Sequence, residues 1–248
     1  MDAEPMSFTD KIVSIFSSPG EVYDNVRQTP ITHSTWLVPT LILAVVGALL
    51  GYVVMSNPSL SDQAKRLANE QMEMQFEKSI REGKMTAEQA EKAREQMSSF
   101  GSIATISRIA GAAFSPFITL FAGSLVYWLL GKGVMKAAAP YWKVAEVIGL
   151  ALFITVLEHI VTTVLAVTMD NVFASPSLML LVTGFSAQNS LHLLAAAMNI
   201  FTIWYLAVIS IGLSRLFQRD LPKVLVLVFS LWLLWTAVLI FGTASLRG

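Results

Sequence analysis

Long apolar runs separated by short polar stretches make up most of the chain, and five of them are long enough to cross a membrane. A transmembrane helix needs roughly 20 mainly apolar residues. The stretch 175–185 is too short, so we predict a re-entrant or interfacial piece there; a full crossing would give six spans and move the C-terminus to the other side. The pattern predicts an all-α, polytopic helical membrane protein, a five-span bundle with spans at residues 36–55, 106–130, 144–168, 191–213 and 223–243.

The segment ahead of the first span, residues 1–34, has a helical period but is too polar to cross a membrane. A second short helix is expected to begin at Ser18 and Pro19, with Glu21 completing a capping box. We predict that these amphipathic helices lie along the membrane interface. The alternative is that their apolar face packs beneath the bundle. The apolar stripe predicted to contact the membrane consists of Phe8, Ile12, Ile15 and Phe16.

Charge is concentrated in one block between the first two spans. Of the 34 charged residues in the chain, 15 lie between Asp62 and Glu95. Apolar residues recur at helical spacing on both sides of Gly83, and Thr86 with Gln89 is a second capping-box pattern. We predict an extramembrane helical hairpin over residues 60–100, inserted into a membrane domain that covers 35–248. It either packs on itself and caps the bundle or serves as a docking surface for a partner or another subunit.

The basic residues of the short loops predict the orientation of the spans. The loop at 169–190 contains no Lys or Arg, whereas the loops on either side of it contain several. Because cytoplasmic loops are enriched in Lys and Arg, we predict a cytoplasmic N-terminus and an extracytoplasmic C-terminus. Lys143 is also expected to reach the interface and pair with Glu146. The basic residues that carry this orientation are Lys132, Lys136, Lys143, Arg215, Arg219 and Lys223.

A few polar side chains fall within the third and fourth predicted spans or at their mouths. They form a candidate intramembrane polar site, because ionisable groups at membrane depth usually face a bundle interior or a wet cavity. The alternatives are structural hydrogen bonding across helices, a proton or substrate site of a transporter, and a metal site. Adjacent residues on a helix point about 100° apart, which disfavours the metal site. The residues are Glu158, His159, His192, Asn199 and Asp170.

Composition excludes several other classes of function. The chain is 54% hydrophobic and 14% charged, whereas soluble domains carry about 25% charged residues. The formal net charge is zero, so there is no basic surface for nucleic acid. Cysteine is absent, which excludes disulfides and thiolate metal sites. The sequence contains no common catalytic motif, so we expect no enzyme activity, no cofactor and no metal.

Two parts of the chain resemble a known family. The entry FSSPGEVYDNVRQTP followed by WLVP is similar to bacterial members of the Yip family, the Ypt/Rab-interacting membrane proteins. The segments NIFTIWYLAVISIGLSRLF and KVLVLVFSLWLLW resemble the fourth and closing spans of that family. The resemblance implies a five-span bundle with a cytoplasmic N-terminus, here in a bacterial inner membrane. It also implies a role in membrane organisation or trafficking rather than chemistry.

The sequence thus leads to two functional hypotheses. The first is a non-enzymatic protein for membrane organisation or partner recruitment, whose partners are membrane lipid and a protein or a second copy of the chain. Eukaryotic members of the family are associated with prenylated small GTPases, but no GTPase-contacting residue is identified in this sequence. The alternative is a small transporter or lipid-handling protein that uses the polar site around Glu158.

Overall fold

A computed structural model describes residues 5–99, 101–182, 185–186 and 189–242, without the side chains of 97–99, 101–110 and 112. Three pieces of the predicted elements lie outside these residues: the last residue of the hairpin, the last residue of the fifth span, and residues 183–184 of the short stretch 175–185. The described chain is all-α. Its helices are α1 (Phe8–Ser17), α2 (Pro19–Gln28), α3 (Ser34–Ser56), α4 (Pro58–Arg81), α5 (Ala87–Ser99), α6 (Gly101–Gly133), α7 (Tyr141–Thr168), α8 (Ser190–Ala197), α9 (Ile200–Phe217) and α10 (Leu221–Gly242).

Five of these helices are long and apolar enough to span a membrane, which confirms the predicted fold class. They are α3, the part of α6 from Ala113 to Gly133, α7, α9 and α10. Because successive spans alternate in direction, the bundle has an α1 end, with α1 and α2, and a hairpin end, with α4 and α5. The stretch 175–185 includes a 3₁₀ helix, Leu178–Leu181, and no spanning helix in its described residues. The orientation of the two ends in a membrane stays a prediction.

The predicted fourth span, 191–213, is wrong as one continuous helix. Helix α8 ends at Ala197 and α9 begins at Ile200, with Met198 in a non-helical conformation between them. The Asn199 side chain accepts a hydrogen bond from the Phe201 N–H (2.8 Å) and caps α9. The apolar composition of the sequence does not reveal this break. A capped helix start satisfies the backbone N–H groups without introducing a charged residue.

Helix α7 is the centre of the bundle. It packs against α3, α6 and α9, and α1 and α2 lie against it at the α1 end. Every residue from Lys143 to Ile154 is buried. Gly149 permits the close approach of α3, because an added Cβ would overlap the Trp36 Cα atom. The half of α7 near the α1 end is therefore a helix with protein on all sides, which is why both of its charged residues are buried.

The apolar stripe of α1 packs against the protein, which agrees with the alternative that the sequence left open, and contact of its partly buried residues with the membrane stays a prediction. Ile15 is fully buried, and Phe8, Ile12 and Phe16 are partly buried against the core. The rings of Phe16 and Trp204 lie 5.9 Å apart and those of Phe8 and Phe153 lie 6.5 Å apart. The stripe faces the bundle because α7 and α9 offer it an apolar surface at this end. Ser18 begins α2 as predicted, but its side chain makes no capping hydrogen bond.

Helices α4 and α5 form the predicted hairpin. Gly83 adopts a positive φ of 68° in the turn, and Thr86 and Gln89 form the predicted capping box with bonds of 2.9 and 3.2 Å. Arg94 joins the two helices through Glu73, with 3.0 Å between Nε and Oε1, and its guanidinium lies over the Phe76 ring. The hairpin is thus braced by an ion pair between its own helices.

Candidate functional site

The structure brings together two of the five predicted intramembrane site residues. The Asn199 amide nitrogen donates a hydrogen bond of 2.7 Å to Oε1 of Glu158. Asn199 is buried, with 7% of its surface exposed, and Glu158 is partly buried. The oxygen of the same amide caps α9, so the Asn199 side chain both stabilises the start of α9 and binds the carboxylate of α7.

A loop segment completes the surroundings of this pair. Ser177 and Asn199 form an isolated antiparallel bridge, and the Leu178 N–H donates to the Met198 carbonyl (3.3 Å). The Ile200 N–H donates to the Pro176 carbonyl (3.1 Å). The backbone groups released by the break between α8 and α9 are therefore satisfied by the loop that precedes the 3₁₀ helix.

The other three predicted residues lie apart from this pair. His159 is exposed, and its Nδ1 lies 2.8 Å from the Thr155 carbonyl of its own helix. His192 accepts a hydrogen bond from the Ser186 N–H (3.1 Å). Asp170 accepts one from the Ser59 hydroxyl (2.9 Å) and so joins the end of α7 to the start of α4. Within the described ranges, no three His, Asp or Glu side chains are arranged to hold a metal ion.

The depth of Glu158 bears on its role. It lies about 26 Å along α7 from Tyr141 at the usual rise per residue, whereas the hydrocarbon core is about 30 Å thick. Asn199 precedes the first residue of α9, so both residues lie near the hairpin end of the spanning region. The pair therefore lies on the hairpin side of the middle of α7.

A second polar cluster, at the α1 end, is more deeply buried. Lys143 and Glu146 form an ion pair at 3.1 Å, with side chains 7% and 1% exposed. The Lys143 ammonium also donates to the carbonyls of Val26 (2.7 Å) and Pro30 (3.0 Å). Oε1 of Glu146 accepts the Thr32 N–H at 2.7 Å. Both charged groups thus hold the end of α2 and the linker to α3 against the first turns of α7.

Two further side chains belong to the same region. The Tyr23 hydroxyl donates to the Val147 carbonyl (3.0 Å), and burial raises the pKa of this phenol well above its ordinary value, so it remains a neutral donor. Lys11 of α1 is 6% exposed. Burial lowers the pKa of the Lys11 ammonium, the attraction of Glu146 opposes that effect, and the repulsion of Lys143 adds to it.

Sequence reasoning expected Lys143 and Glu146 to pair, but at the membrane interface with the lysine reaching outward. Their spacing of three residues indicates the pair. Its burial depends on Val26, Pro30 and Thr32, which are more than 110 residues earlier in the chain. The available signal was the apolar sequence on both sides of Glu146, which is typical of a helix surrounded by protein.

In a comparison with models of protein families, one family model matches nearly the whole chain. The model described as the Yip1 domain matches residues 13–243, which run from α1 through α10 and include the hairpin. No curated protein and no solved structure matches the chain.

Proposed function

The chain belongs to the family defined by the Yip1 domain, and on this premise we propose that it is a non-enzymatic protein of membrane organisation that recruits a protein partner through the α4–α5 hairpin. It is an integral membrane protein with five candidate spans. We place it in a bacterial inner membrane, with the N-terminus cytoplasmic and the C-terminus extracytoplasmic. We assign residues 1–34 to an N-terminal interfacial amphipathic segment and 35–248 to the five-span membrane domain, with the hairpin 60–100 inserted between its first two spans.

The observation that carries this proposal is the construction of the hairpin. At its base, Ser59 and Gln63 bond the Asp170 side chain and carbonyl, both at 2.9 Å. Further out, the hairpin surface carries exposed ion pairs such as Glu88 with Lys92, whose side chains are 79% and 69% exposed. Exposed pairs add little stability, so a braced charged arm is better suited to contact with another molecule than to supporting the bundle.

The intramembrane polar groups support a scaffold rather than chemistry. Asn199 uses both its amide nitrogen and its amide oxygen for bonds that hold helices, and Lys143 donates to Glu146 and to backbone carbonyls. Catalytic groups are usually positioned to reach a substrate, whereas these are occupied within the fold.

A small transporter or lipid-handling protein is the second candidate, and one observation favours it. The break between α8 and α9 lies beside an ionisable side chain, Glu158, and discontinuous helices are common at transport sites. Here, however, the Asn199 amide uses its nitrogen to bind Glu158 and its oxygen to cap α9, so the polar groups beside the break are occupied within the fold. We therefore rank transport below recruitment.

Native mass spectrometry of gently purified protein tests the two functions together. The variants are Glu158→Gln and the double exchange Glu88→Lys with Lys92→Glu. The double exchange keeps the net charge and an ion pair four residues apart while it reverses the surface pattern of the hairpin.

A co-purifying protein that is retained by Glu158→Gln and lost from the double exchange supports recruitment through the hairpin. A small molecule, ion or lipid that is lost only from Glu158→Gln supports transport instead. A partner retained equally by both variants would contradict the role of the hairpin, because its charge pattern would then be irrelevant to binding.

A further inference from the structure

A cavity of about 290 Å³ lies between the start of α1 and the start of α3. Its polar lining comes from Lys11, Thr29, Thr32, Ser34 and Thr35, and Met6 and Phe8 contribute an apolar side. The volume is close to the lower end for small-molecule sites, about 300 Å³. Thr32 and Ser34 are exposed, so the cavity is accessible from outside the protein.

Among the described residues that line the cavity, Lys11 is the one with a charged side chain. Lys11 is 6% exposed, and its ammonium has no hydrogen-bond or ion-pair partner within residues 5–99, 101–182, 185–186 and 189–242. The nearby carboxylate of Glu146 already accepts from Lys143 and Thr32. Within the described ranges, Lys11, Lys143 and Glu146 therefore carry one net positive charge at this end of the bundle, which attracts an anion to the cavity.

The start of α3 adds a second feature that favours an anion. His33 occupies the N-cap position of this 23-residue helix and makes no side-chain capping bond. Ser34 and Thr35, the first residues of α3, line the cavity, and within the described part of the chain the Ser34 hydroxyl has no partner. The Thr35 N–H donates to the Thr32 carbonyl (3.1 Å), so, for the residues that the structure describes, the N–H and hydroxyl of Ser34 are the donors left at this helix start. They lie beside its partial positive charge, which favours an anion such as phosphate.

Aromatic side chains indicate the level of the cavity in a bilayer. Trp36 follows the cavity-lining Thr35, and its ring stacks on that of Trp142 with centroids 5.5 Å apart. The rings of Tyr141 and Trp142 lie 5.3 Å apart. Tryptophan and tyrosine concentrate at the headgroup level of membranes, so we expect the cavity to lie at the level of the lipid phosphates.

We propose that this cavity binds a phosphoryl group, with the Lys11 ammonium as its counter-charge and the N–H and hydroxyl of Ser34, at the start of α3, as its hydrogen-bond donors. An anionic phospholipid headgroup and free phosphate share this chemistry, and the experiment below separates them. The inference goes beyond partner recruitment and does not depend on it, because it concerns a ligand at the opposite end of the bundle from the hairpin.

The experiment measures thermal unfolding of purified protein in a neutral maltoside detergent. Three compounds are titrated: a short-chain phosphatidylglycerol, the diacylglycerol with the same acyl chains, and inorganic phosphate. Four proteins are compared: wild type, Lys11→Met, Lys11→Arg and Lys136→Gln. Lys136 is an exposed lysine at the same end of the bundle, so it controls for the loss of one positive charge.

We expect phosphatidylglycerol to raise the unfolding midpoint of wild type, Lys11→Arg and Lys136→Gln, and diacylglycerol to have no effect. Lys11→Met should fold, since methionine is apolar and of similar length, but should bind about tenfold more weakly or worse. Stabilisation by phosphatidylglycerol alone identifies a lipid headgroup as the ligand, and equal stabilisation by inorganic phosphate identifies free phosphate.

Equal responses of wild type and Lys11→Met would overturn the proposal. So would the absence of any response in wild type. One alternative source of the anion lies in the chain itself, at Asp2 and Glu4, which precede the described residues. If wild type does not respond and the double variant Asp2→Asn with Glu4→Gln does, the acidic N-terminus supplies the counter-charge and no external phosphoryl group is the natural ligand.

Discussion

Neutralising Glu146 tests whether the buried cluster at the α1 end holds the entry segment on the bundle. The substitution Glu146→Gln keeps an oxygen that can accept the Thr32 N–H, so it removes the charge and little else. The Lys143 ammonium keeps its bonds to the carbonyls of Val26 and Pro30 but loses its counter-charge. The change therefore isolates the electrostatic part of the cluster.

The magnitude follows from the burial of both partners. The side chains are 7% and 1% exposed, so solvent does not screen the pair as it screens surface pairs. Removing one member of a buried ion pair costs about 3–5 kcal/mol. Because Lys143 keeps its two hydrogen bonds to backbone carbonyls, we expect Glu146→Gln to lower the free energy of unfolding by about 3 kcal/mol, the lower end of this range.

Equilibrium unfolding in mixed micelles, followed by tryptophan fluorescence, measures this change. The control is Glu88→Gln, the same substitution in an exposed ion pair, for which about 0.5 kcal/mol or less is expected. Adding Lys143→Met to Glu146→Gln removes the stranded charge. The double variant should then be less destabilised than the sum of the single variants by about 2 kcal/mol. If Glu146→Gln is no more destabilising than Glu88→Gln, the pair does not hold the entry segment.

Three further predictions concern the break in the fourth span, a close helix contact and the buried lysine of α1. Asn199→Leu should destabilise the protein by about 2 kcal/mol in the same assay, because it removes the α9 cap and the bond to the α7 carboxylate, and a loss below about 0.5 kcal/mol would contradict this. Gly149→Ala should cost about 1–3 kcal/mol because its methyl group overlaps the Trp36 backbone, whereas Gly123→Ala, with only one side-chain atom at 3.8 Å, should be nearly neutral. Because burial lowers the folded-state pKa of Lys11, the unfolded chain binds more protons between that pKa and 10.5, so stability should rise with pH in this window. Lys11→Met should flatten that rise, and an unchanged pH profile would contradict the assignment.

The spans and the hairpin could be predicted from sequence because their signals are local. Apolar runs of sufficient length identify the five spans, although the fourth is shorter than predicted. The Thr86 capping box lies within four residues and was predicted correctly. Each of these features depends on residues close together in the chain, where periodicity and capping preferences are informative.

The covering of α1 and the burial of the Lys143 cluster could not be predicted in the same way. Helical spacing identifies the apolar face of α1 but contains no information about whether lipid or protein covers it. The acceptors of Lys143 lie 117 and 113 residues away. Asn199 is an N-cap residue directly before an apolar run, which does indicate a helix start at this position. The apolar residues on both sides of Asn199 nevertheless favour one continuous span.

The long sequence separation of the Lys143 bonds has a consequence for biosynthesis. The partners of α2 and its linker, Lys143, Glu146 and Val147, are translated 113 to 124 residues after the groups they bind. At about 5–20 residues per second, the entry segment waits about 6 to 25 s before its docking site exists. During that interval the apolar stripe of α1 has no protein to cover it, and the nascent chain is already anchored by its first span. We expect the stripe to rest on the bilayer surface first and to transfer to the bundle once α7 is inserted, so that an amphipathic face that ends up buried serves during assembly as a temporary membrane tether.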